Sequence, residues 1–347
     1  MRATSKDVAV KAGVSRSTVS LVLNEVPNAR IPDETKAKVL QAAAELNYQP
    51  NQLAQGLKNN RSKTIAFLLP SISNPFYPYV AQGIEDVALE NGYTVFICNT
   101  YREKTKEENY LKVLLQRQVD GAILSTSFNT TDYIKQFIEQ GIAVTVFNRA
   151  VDLPGVDQVL VDNTYGGWLA TKHLLELGHR RIAFLAGALP YSSRTERMDG
   201  YKKALQEYGV KVDENLILRG ESEQEYRDQS FDLYNGYTLT QKMLGKFKDV
   251  TAVIGINDLT IMGAFRALRE AKIRIPEDIS LVGYDDIAMS AMLDPPLTTV
   301  EQPKYERGKA AAELLIRRIE NPEMGERQSI LFRPSLMIRE STQKVLV

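Results

Sequence analysis

A short run near the start of the chain combines small residues with polar side chains that could contact DNA. Ala9, Gly13, Ser15 and Val19 are spaced as in a helix, a tight turn and a second helix that crosses closely. The first turn of such a second helix can enter the major groove, where arginine pairs with guanine. Its outer face would carry Arg16, Ser17, Ser20, Leu21 and Asn24. The alternative is a helical hairpin in an unrelated bundle.

Charge is distributed unevenly along the chain. Residues 1–61 contain nine Lys and Arg against five Asp and Glu, a net charge of +4, whereas the whole chain of 347 residues is neutral. The remaining residues therefore carry −4. A basic segment beside an acidic body is consistent with nucleic acid binding on one side, although a small imbalance is also common on solvated surfaces.

The elements that position these residues change in type along the chain. Residues 4–49 have helical periodicity, with Thr4 and Asp7 as a capping pair, and residues 50–63 are a short polar linker. From residue 64 apolar runs at 64–69, 93–98, 121–125, 143–147, 181–186, 252–256 and 280–283 alternate with amphipathic stretches at 76–91, 105–117, 130–140, 164–177, 194–208, 236–247 and 258–271. This alternation predicts parallel α/β structure in two sheets, and thus domains at 1–49, 50–63 and 64–347.

Several classes of protein are disfavoured. The single cysteine, Cys98, cannot form an internal disulfide, and no signal peptide or membrane-spanning run is present, so we expect a cytoplasmic protein that does not bind membranes. No GxGxxG or GxxxxGK[ST] motif follows a predicted strand. No cluster of His, Cys and carboxylates suggests catalysis or a metal site, so we expect no enzymatic activity, cofactor or metal.

Ordered motifs over nearly the whole chain resemble the lactose-repressor/galactose-repressor family of bacterial transcription regulators. In the head and linker these are KDVA at 6–9, AGVS at 12–15, TVS at 18–20, VLN at 22–24, LNY at 46–48 and PN at 50–51, with Ala54 and Leu57. In the body they include SNPF at 73–76, VDG at 119–121, LGH at 177–179, IAF at 182–184, GY at 200–201, ND at 257–258, IPED at 275–278, VGYDD at 282–286, PLTTV at 296–300 and REST at 339–342.

The resemblance implies a dimeric regulator, most simply a repressor, that binds a pseudo-palindromic operator. It implies a three-helix head, a hinge helix and a two-lobed body of the periplasmic-binding-protein type with an effector, expected to be a sugar or sugar derivative, between the lobes. Residues at positions that read bases would be Arg16, Ser17 and Leu21. Residues at positions that cap the reading helix or contact phosphates and the hinge would be Thr4, Ser15, Thr18, Ser20, Asn24, Asn51 and Ala54, and Leu57 would wedge into the minor groove.

By the same resemblance nine residues would line the effector pocket. Arg197, Asn257 and Asp285 would supply charged and polar partners for hydroxyl groups, and Phe76 and Phe231 would supply ring faces. The remaining four are Tyr77, Asn148, Ser193 and Gln302. Each has an ordinary alternative: Arg197 could form a surface ion pair, Asp285 could be a turn residue and Phe76 could be plain core.

The chain departs from the family pattern in three places. Leu21 stands where arginine is common, which removes a guanine contact but allows a thymine methyl contact. The loop 25–31 is longer than usual, with Pro32 where a capping serine is common. Residues 222–230 read as an insertion, which leaves the alignment of Phe231 open.

The hinge is predicted to be a conditional helix. Residues 51–58 span about two helical turns and contain Gly56, so an isolated helix would be marginal in water. Its formation would depend on DNA and a partner hinge, which makes it a switch; the alternative is a passive tether. For the whole chain the competing functions are a sugar-binding protein without a DNA role and an enzyme of doubly wound fold.

Overall fold

The structure is a computed structural model, which describes residues 3–23, 30–48, 61–126, 130–187, 192–220 and 231–345. Its contacts divide the chain into two compact units, Met1–Lys63 and Thr64–Val347. Of the predicted site residues, Asn24, Asn51, Ala54 and Leu57 lie outside the described residues, as do most of the loop 25–31 and the insertion 222–230. None of the described helices is both long and apolar enough to span a membrane.

The first unit contains three helices around a small apolar core. They are α1 (Ser5–Ala12), α2 (Arg16–Leu23) and α3 (Asp33–Glu45). Thr4 and Asp7 form the predicted capping box at the start of α1, and Gly13 ends the helix at a φ of 66°, where glycine carries no steric penalty. Val8, Val19 and Val39, one from each helix, are almost completely buried. The helix–turn–helix prediction for this segment is confirmed.

The second unit is built on two six-stranded sheets, and each sheet defines one lobe. In lobe 1 the strand order is β11-β5-β4-β3-β1-β2 and all neighbours are parallel. Its elements are β1 (Thr64–Leu69), α4 (Phe76–Glu90), β2 (Thr94–Asn99), α5 (Lys104–Arg117), β3 (Gly121–Leu124), α6 (Thr131–Glu139), β4 (Ala143–Phe147), β5 (Asp157–Val161), α11 (Lys304–Glu320) and β11 (Ser329–Phe332).

In lobe 2 the strand order is β12-β10-β9-β8-β6-β7, and only the β10–β12 pair is antiparallel. Its elements are α7 (Asn163–Glu176), β6 (Ile182–Leu185), α8 (Ser192–Glu207), β7 (Ile217–Leu218), α9 (Phe231–Lys246), β8 (Ala252–Gly255), α10 (Asp258–Glu270), β9 (Ser280–Asp285), β10 (Thr298–Glu301) and β12 (Ser335–Met337), with short 3₁₀ turns at Glu214–Leu216 and Ala288–Met292. The chain crosses between the lobes three times, after β5, after β10 and after β11.

Close helix packing in lobe 2 depends on glycine at the crossing points. A Cβ on Gly167 of α7 would lie 2.0 Å from the backbone oxygen of Arg197 on α8, and one on Gly200 of α8 would lie 2.0 Å from that of Thr164. Because neither glycine has a side chain, the two helices approach backbone to backbone. This contact fixes the α8 backbone from which Arg197 extends.

All seven predicted strands are present, to within two residues at each end. The helix predicted at 236–247 extends back to Phe231, however, and the sequence patterns do not predict β5, β7, β10, β11, β12 or α11. The omission of α11 matters most. This helix lies against α4 and the lobe 1 sheet, where Ala311, Leu315 and Ile319 join the core of Ile65, Phe67 and Ile84.

Candidate DNA-reading helix and effector cleft

The N-terminal turn of α2 presents short polar side chains and one arginine. Ser15 caps the helix, since its Oγ accepts a hydrogen bond from the Thr18 amide at 3.1 Å and lies 2.6 Å from the Ser17 Oγ. Arg16, Ser17 and Leu21 are exposed. The helix contains no acidic residue, so nothing on it opposes a phosphate backbone.

The other predicted contacts of the head differ in exposure. Thr18 and Ser20 on α2 are half-buried, and Thr4 is exposed at the start of α1. The Thr4 hydroxyl is already held by the Asp7 carboxylate at 2.7 Å. The structure thus brings Arg16, Ser17 and Leu21 together on one exposed face and places Thr4 at the end of a different helix.

Between the lobes lies a cleft of about 450 Å³, which is within the size range of small-molecule sites. Eight of the nine predicted effector residues line it: Phe76, Tyr77, Asn148, Ser193, Arg197, Asn257, Asp285 and Gln302. Phe231 is not among the lining residues. It is buried, and its ring centroid lies 5.8 Å from the guanidinium of Arg102, which does line the cleft.

The strand ends explain why these residues meet. Asn148 follows β4, Asn257 follows β8, Asp285 ends β9 and Gln302 follows β10. Parallel strands in α/β sheets place their carboxyl ends at one edge, and ligands bind there. The same rule applies to lining residues that the sequence analysis missed: Arg102 follows β2, and Ser125 and Thr126 follow β3.

Asp285 is held by Arg197 of lobe 2 and by Gln302 and Lys304, which lie where the chain passes from β10 to α11. Its Oδ1 accepts a hydrogen bond from the Gln302 side chain at 2.6 Å and lies 3.6 Å from an Arg197 nitrogen. Lys304 donates to the Asp285 backbone oxygen at 2.8 Å. Burial raises the pKa of this carboxyl, and Arg197 and Lys304 oppose that rise. The φ of Asp285 is 110°, a conformation that costs energy for a residue with a side chain and is typical of functional sites.

Arg197 is oriented by four neighbours. It donates to the Asn163 side chain at 3.0 Å and to the Ile256 backbone oxygen at 2.6 Å, and its guanidinium lies 3.6 Å from the centroid of the Tyr284 ring. With Asp285 beside it, the guanidinium is fixed in place before any ligand binds. Such preorganisation lowers the entropic cost of binding, because the Arg197 side chain has little conformational freedom left to lose when a ligand binds.

A second cluster centres on Asp232, which lies in the first turn of α9 and contacts residues of the cleft lining. Its two oxygens accept hydrogen bonds from Arg194 at 2.8 Å and from Arg102 at 2.9 Å, and Asn257 donates to it at 2.9 Å. Burial raises the pKa of Asp232, but the two guanidinium groups outweigh burial and hold the pKa below its usual range. Because Arg102 belongs to lobe 1 and Asp232 to lobe 2, this ion pair connects the lobes.

Behind the cleft wall, Arg307 of α11 is completely buried. It donates to the side-chain oxygens of Gln302, at 2.6 Å, and of Asn148, and its guanidinium lies 4.5 Å from the Phe147 ring centroid. Burial lowers the pKa of Arg307 to about 9, so it is still a cation at neutral pH. The sequence analysis missed this residue because it missed the helix that carries it.

Aromatic and hydroxyl groups complete the described wall. The rings of Phe76 and Tyr77 meet edge to face at 5.1 Å between centroids. Burial raises the pKa of the Tyr77 phenol, and the nearby Arg102 offsets part of that rise. Ser125, Thr126 and Ser193 supply hydroxyls.

Within the described residues, no group of three or more His, Cys, Asp and Glu is arranged to hold a metal ion. Both histidines have structural contacts instead. His173 lies 2.9 Å from the Thr342 hydroxyl, and His179 is hydrogen bonded to Thr251 and to the backbone oxygen of Gln343.

Two family models match the chain. "Bacterial regulatory proteins, lacI family" covers residues 4–51, and "Periplasmic binding proteins and sugar binding domain of LacI family" covers residues 62–337. The chain belongs to the LacI family. Members of this family are transcriptional regulators and not enzymes, so the chain is a DNA-binding regulator of transcription whose operator affinity is controlled by a small-molecule effector.

Individual relatives agree with this assignment over the whole length. The HTH-type transcriptional repressor PurR of Aliivibrio salmonicida is 34% identical over 99% of this chain and 100% of its own. A complex of the transcriptional regulator CelR with cellobiose is 32% identical, with a TM-score of 0.72, over 98% of this chain and 100% of that one. The lac repressor dimer bound to operator and the anti-inducer ONPF is 28% identical, with a TM-score of 0.83, over 99% of this chain and 100% of that one.

Proposed function

We propose that this chain is a homodimeric repressor that works in the cytoplasm, and that a sugar or sugar derivative controls its affinity for a pseudo-palindromic operator. Residues 1–49 would read DNA, 50–63 would form the hinge, and 64–347 would bind the effector and dimerise. The observation that carries the proposal is the cleft, which is lined from both lobes by polar side chains already held in position. The lac repressor, solved as a dimer on its operator, supports the assembly.

On the DNA side, the exposed face of α2 would contact base edges through Arg16, Ser17 and Leu21. Arginine can donate two hydrogen bonds to guanine, and a leucine can pack on a thymine methyl. Thr4, Thr18, Ser20, Asn24 and Asn51 would contact phosphates or the hinge, and Leu57 would insert into the minor groove and stabilise a bend. A dimer places two such faces on a two-fold axis, and the operator must repeat accordingly.

On the effector side, the cleft fits a compound with several hydroxyl groups and an apolar ring face. Asp285, Asn257 and Arg197 would accept and donate hydrogen bonds, and Phe76 would pack on the ring face. The CelR complex with cellobiose supports a sugar. A ligand bound by both lobes favours the closed arrangement only by its higher affinity for it, and this difference is what could be transmitted to the hinges.

The test uses the full chain and DNA of its own promoter region. We expect a specific complex whose affinity falls steeply with salt, because lysine and arginine displace counterions from phosphates. A panel of sugars, sugar derivatives and purines is then screened for compounds that raise the unfolding temperature of the chain and shift the operator affinity. A matched control is Leu57→Ala, which should weaken the specific complex and leave effector binding unchanged.

Two results would contradict the proposal. An absence of sequence-specific DNA binding would favour a ligand-binding protein without a DNA role. If compounds stabilise the chain but none of them changes operator affinity, ligand binding does not regulate DNA binding. If Leu57→Ala binds operator as tightly as the parent, the hinge is only a tether.

A further inference from the structure

Arg307 of α11 lies behind the effector cleft and contacts cleft residues that come from different parts of the chain. It is completely buried. It donates to the side-chain oxygen of Gln302, which follows β10, at 2.6 Å, and to that of Asn148, which follows β4. Its guanidinium also lies 5.8 Å from the ring centroid of Phe76. One side chain behind the wall is therefore in contact with three side chains that line the cleft.

The chemistry of the guanidinium fixes which way the two carboxamides face. A guanidinium has N–H donors and no acceptor, so each carboxamide must turn its oxygen, and not its nitrogen, toward Arg307. The NH2 group of each carboxamide then points elsewhere. That of Gln302 donates to the Asp285 Oδ1 at 2.6 Å. Asn148 lines the cleft, so its NH2 group is the part that it offers to a ligand.

These bonds form a continuous relay behind the cleft, from Asp285 through Gln302 and Arg307 to Asn148. One end of the relay is the last residue of β9 in lobe 2, and the other follows β4 in lobe 1. Both end residues have a positive φ, 110° for Asp285 and 66° for Asn148, which persists only where the surrounding structure holds it. Hydrogen bonds in such a chain polarise one another, so a change at Arg307 affects both ends.

Resting on the proposed function, we propose that Arg307 is a positioning residue that determines which chemical group the effector must present to Asn148. Because Arg307 holds the Asn148 oxygen, the NH2 group faces the ligand, and the effector must offer a hydrogen-bond acceptor there, such as a hydroxyl or ring oxygen. At Asp285 the requirement is the reverse, since an ionised carboxylate only accepts. The effector therefore accepts a hydrogen bond from lobe 1 and donates one to lobe 2.

Two isosteric variants of the full chain test the orientation of the carboxamides. Asn148→Asp replaces the NH2 group by oxygen and turns the bond to Arg307 into an ion pair, so we expect the unfolding temperature to rise by about 2–4 °C. Gln302→Glu gains the same ion pair but loses the donor to Asp285 and places a second carboxylate beside it. We expect this variant to unfold at a lower temperature than the parent.

The effect of Asn148→Asp should change sign when Arg307 is removed. Arg307→Met keeps an unbranched side chain but has no donors, and in that background the new carboxylate lacks its partner, so Asn148→Asp should lower the unfolding temperature. A residue that only fills space would give the same shift in both backgrounds. Arg317→Met is the matched control, because Arg317 is exposed on the same helix and bonds to Gln328. In that background Asn148→Asp should keep its stabilising effect.

Sugar binding gives a readout that a purely structural residue would not affect. Ribose, galactose, glucose and cellobiose are added to the full chain with isotope-labelled asparagine side chains, and NMR follows the Asn148 NH2 signal, assigned by its loss in Asn148→Ala. We expect a sugar that binds to shift this signal. Arg307→Met should weaken the binding of that sugar about 10-fold, as for the loss of one oriented hydrogen bond. Arg307→Lys should restore part of the affinity, because it keeps the charge and a donor but not the planar fork.

Three results would overturn the inference. The first is a shift of the unfolding temperature in the same direction for Asn148→Asp and Gln302→Glu. The second is an equal effect of Asn148→Asp with and without Arg307, and the third is a sugar that binds and leaves the Asn148 NH2 signal unchanged. If Arg307→Met does not fold, the two isosteric variants of the parent still decide. If none of the four sugars binds, the proposal of a sugar effector fails, whereas the unfolding temperatures still decide the role of Arg307.

Discussion

The exposed face of α2 and the effector cleft present their functional side chains in opposite ways. On α2 the side chains of Arg16, Ser17 and Leu21 are exposed, and their arrangement follows from helical spacing within one turn or two. In the cleft, Arg194, Asp232 and Asp285 are buried and held by partners that come from distant parts of the chain. Changes on α2 should therefore affect recognition alone, whereas changes in the cleft should affect stability and recognition together.

The largest effect should follow the loss of Asp232. Asp232→Ala leaves Arg102 and Arg194 buried without their shared carboxylate, and we expect the body to lose about 3–5 kcal/mol of unfolding free energy. Urea unfolding followed by the fluorescence of the single tryptophan, Trp168 on α7, measures this. Asp278→Ala, which breaks an exposed ion pair with Arg274, should cost far less. Equal losses of unfolding free energy in the two variants would mean that burial of the Asp232 ion pairs does not increase their contribution to stability.

Asp285→Ala should lower the ligand response and, because the carboxyl is buried beside Arg197 and Gln302, should also lower the stability of the body. One charge-assisted hydrogen bond to the ligand is removed, which corresponds to about 1.5–3 kcal/mol of effector binding. For an inducible repressor, operator affinity without effector should stay near the parental value, since the head is unchanged; for a corepressor-dependent one, operator binding should not be switched on. The measurement is operator affinity with and without a compound that shifts the parent. A variant that responds at parental concentrations would place the pocket elsewhere.

Arg16→Ala tests the other region. We expect the binding free energy for operator DNA to weaken by about 1–3 kcal/mol per half-site, and we expect this loss to depend on the identity of one base pair. Effector binding to the body should be unchanged. Arg16→Lys is a useful comparison, because it keeps the charge for phosphate attraction but loses the planar fork. Binding to a set of operators that differ at single positions distinguishes these cases. A uniform loss on all sequences would assign Arg16 to the backbone and not to a base.

The smallest effect should come from the cap of α1. Thr4→Ala removes the side-chain bonds to Asp7 and should destabilise the head by about 1 kcal/mol. Hydrogen exchange of the α1 amides in the full chain measures it. Thr4→Ser should restore the cap. If amides of the body change as much as those of α1, the effect is not local to the head.

The sequence predicted local features well and tertiary ones poorly. The capping box of α1, the turn at Gly13 and the seven strands depend on neighbours within a few residues, and these predictions are confirmed. The helix α11 lacks a side-chain cap, and its buried positions include Arg307 and Gly308, residue types that do not by themselves indicate a core-facing side of a helix. The strand β11 contains three consecutive apolar residues, but it is only four residues long, which is too short for its pattern to identify a strand.

The residues of the effector cleft likewise include some that the sequence predicts and some that it does not. Positions at strand ends, such as Asn148 and Asp285, were predicted from the family resemblance, and the structure places them in one cleft. Asp232 was missed because it lies in the first turn of a helix whose start follows an insertion, where the alignment was open. No local pattern indicates that Arg102, Arg194 and Asp232 meet, since 130 residues separate Arg102 from Asp232.

The order in which the two lobes are completed has a consequence for biosynthesis. Lobe 1 lacks α11 until residue 320 has been made, and lobe 2 lacks β12 until residue 337 has been made. Domains of many proteins fold from the N-terminus as the chain emerges from the ribosome. Here the core of neither lobe is complete until an element near the C-terminus has been synthesised. Both lobes should therefore reach their final form only when the last elements emerge. A premature stop anywhere before residue 304 would leave the α4 face of lobe 1 uncovered and exposed to proteases and to aggregation.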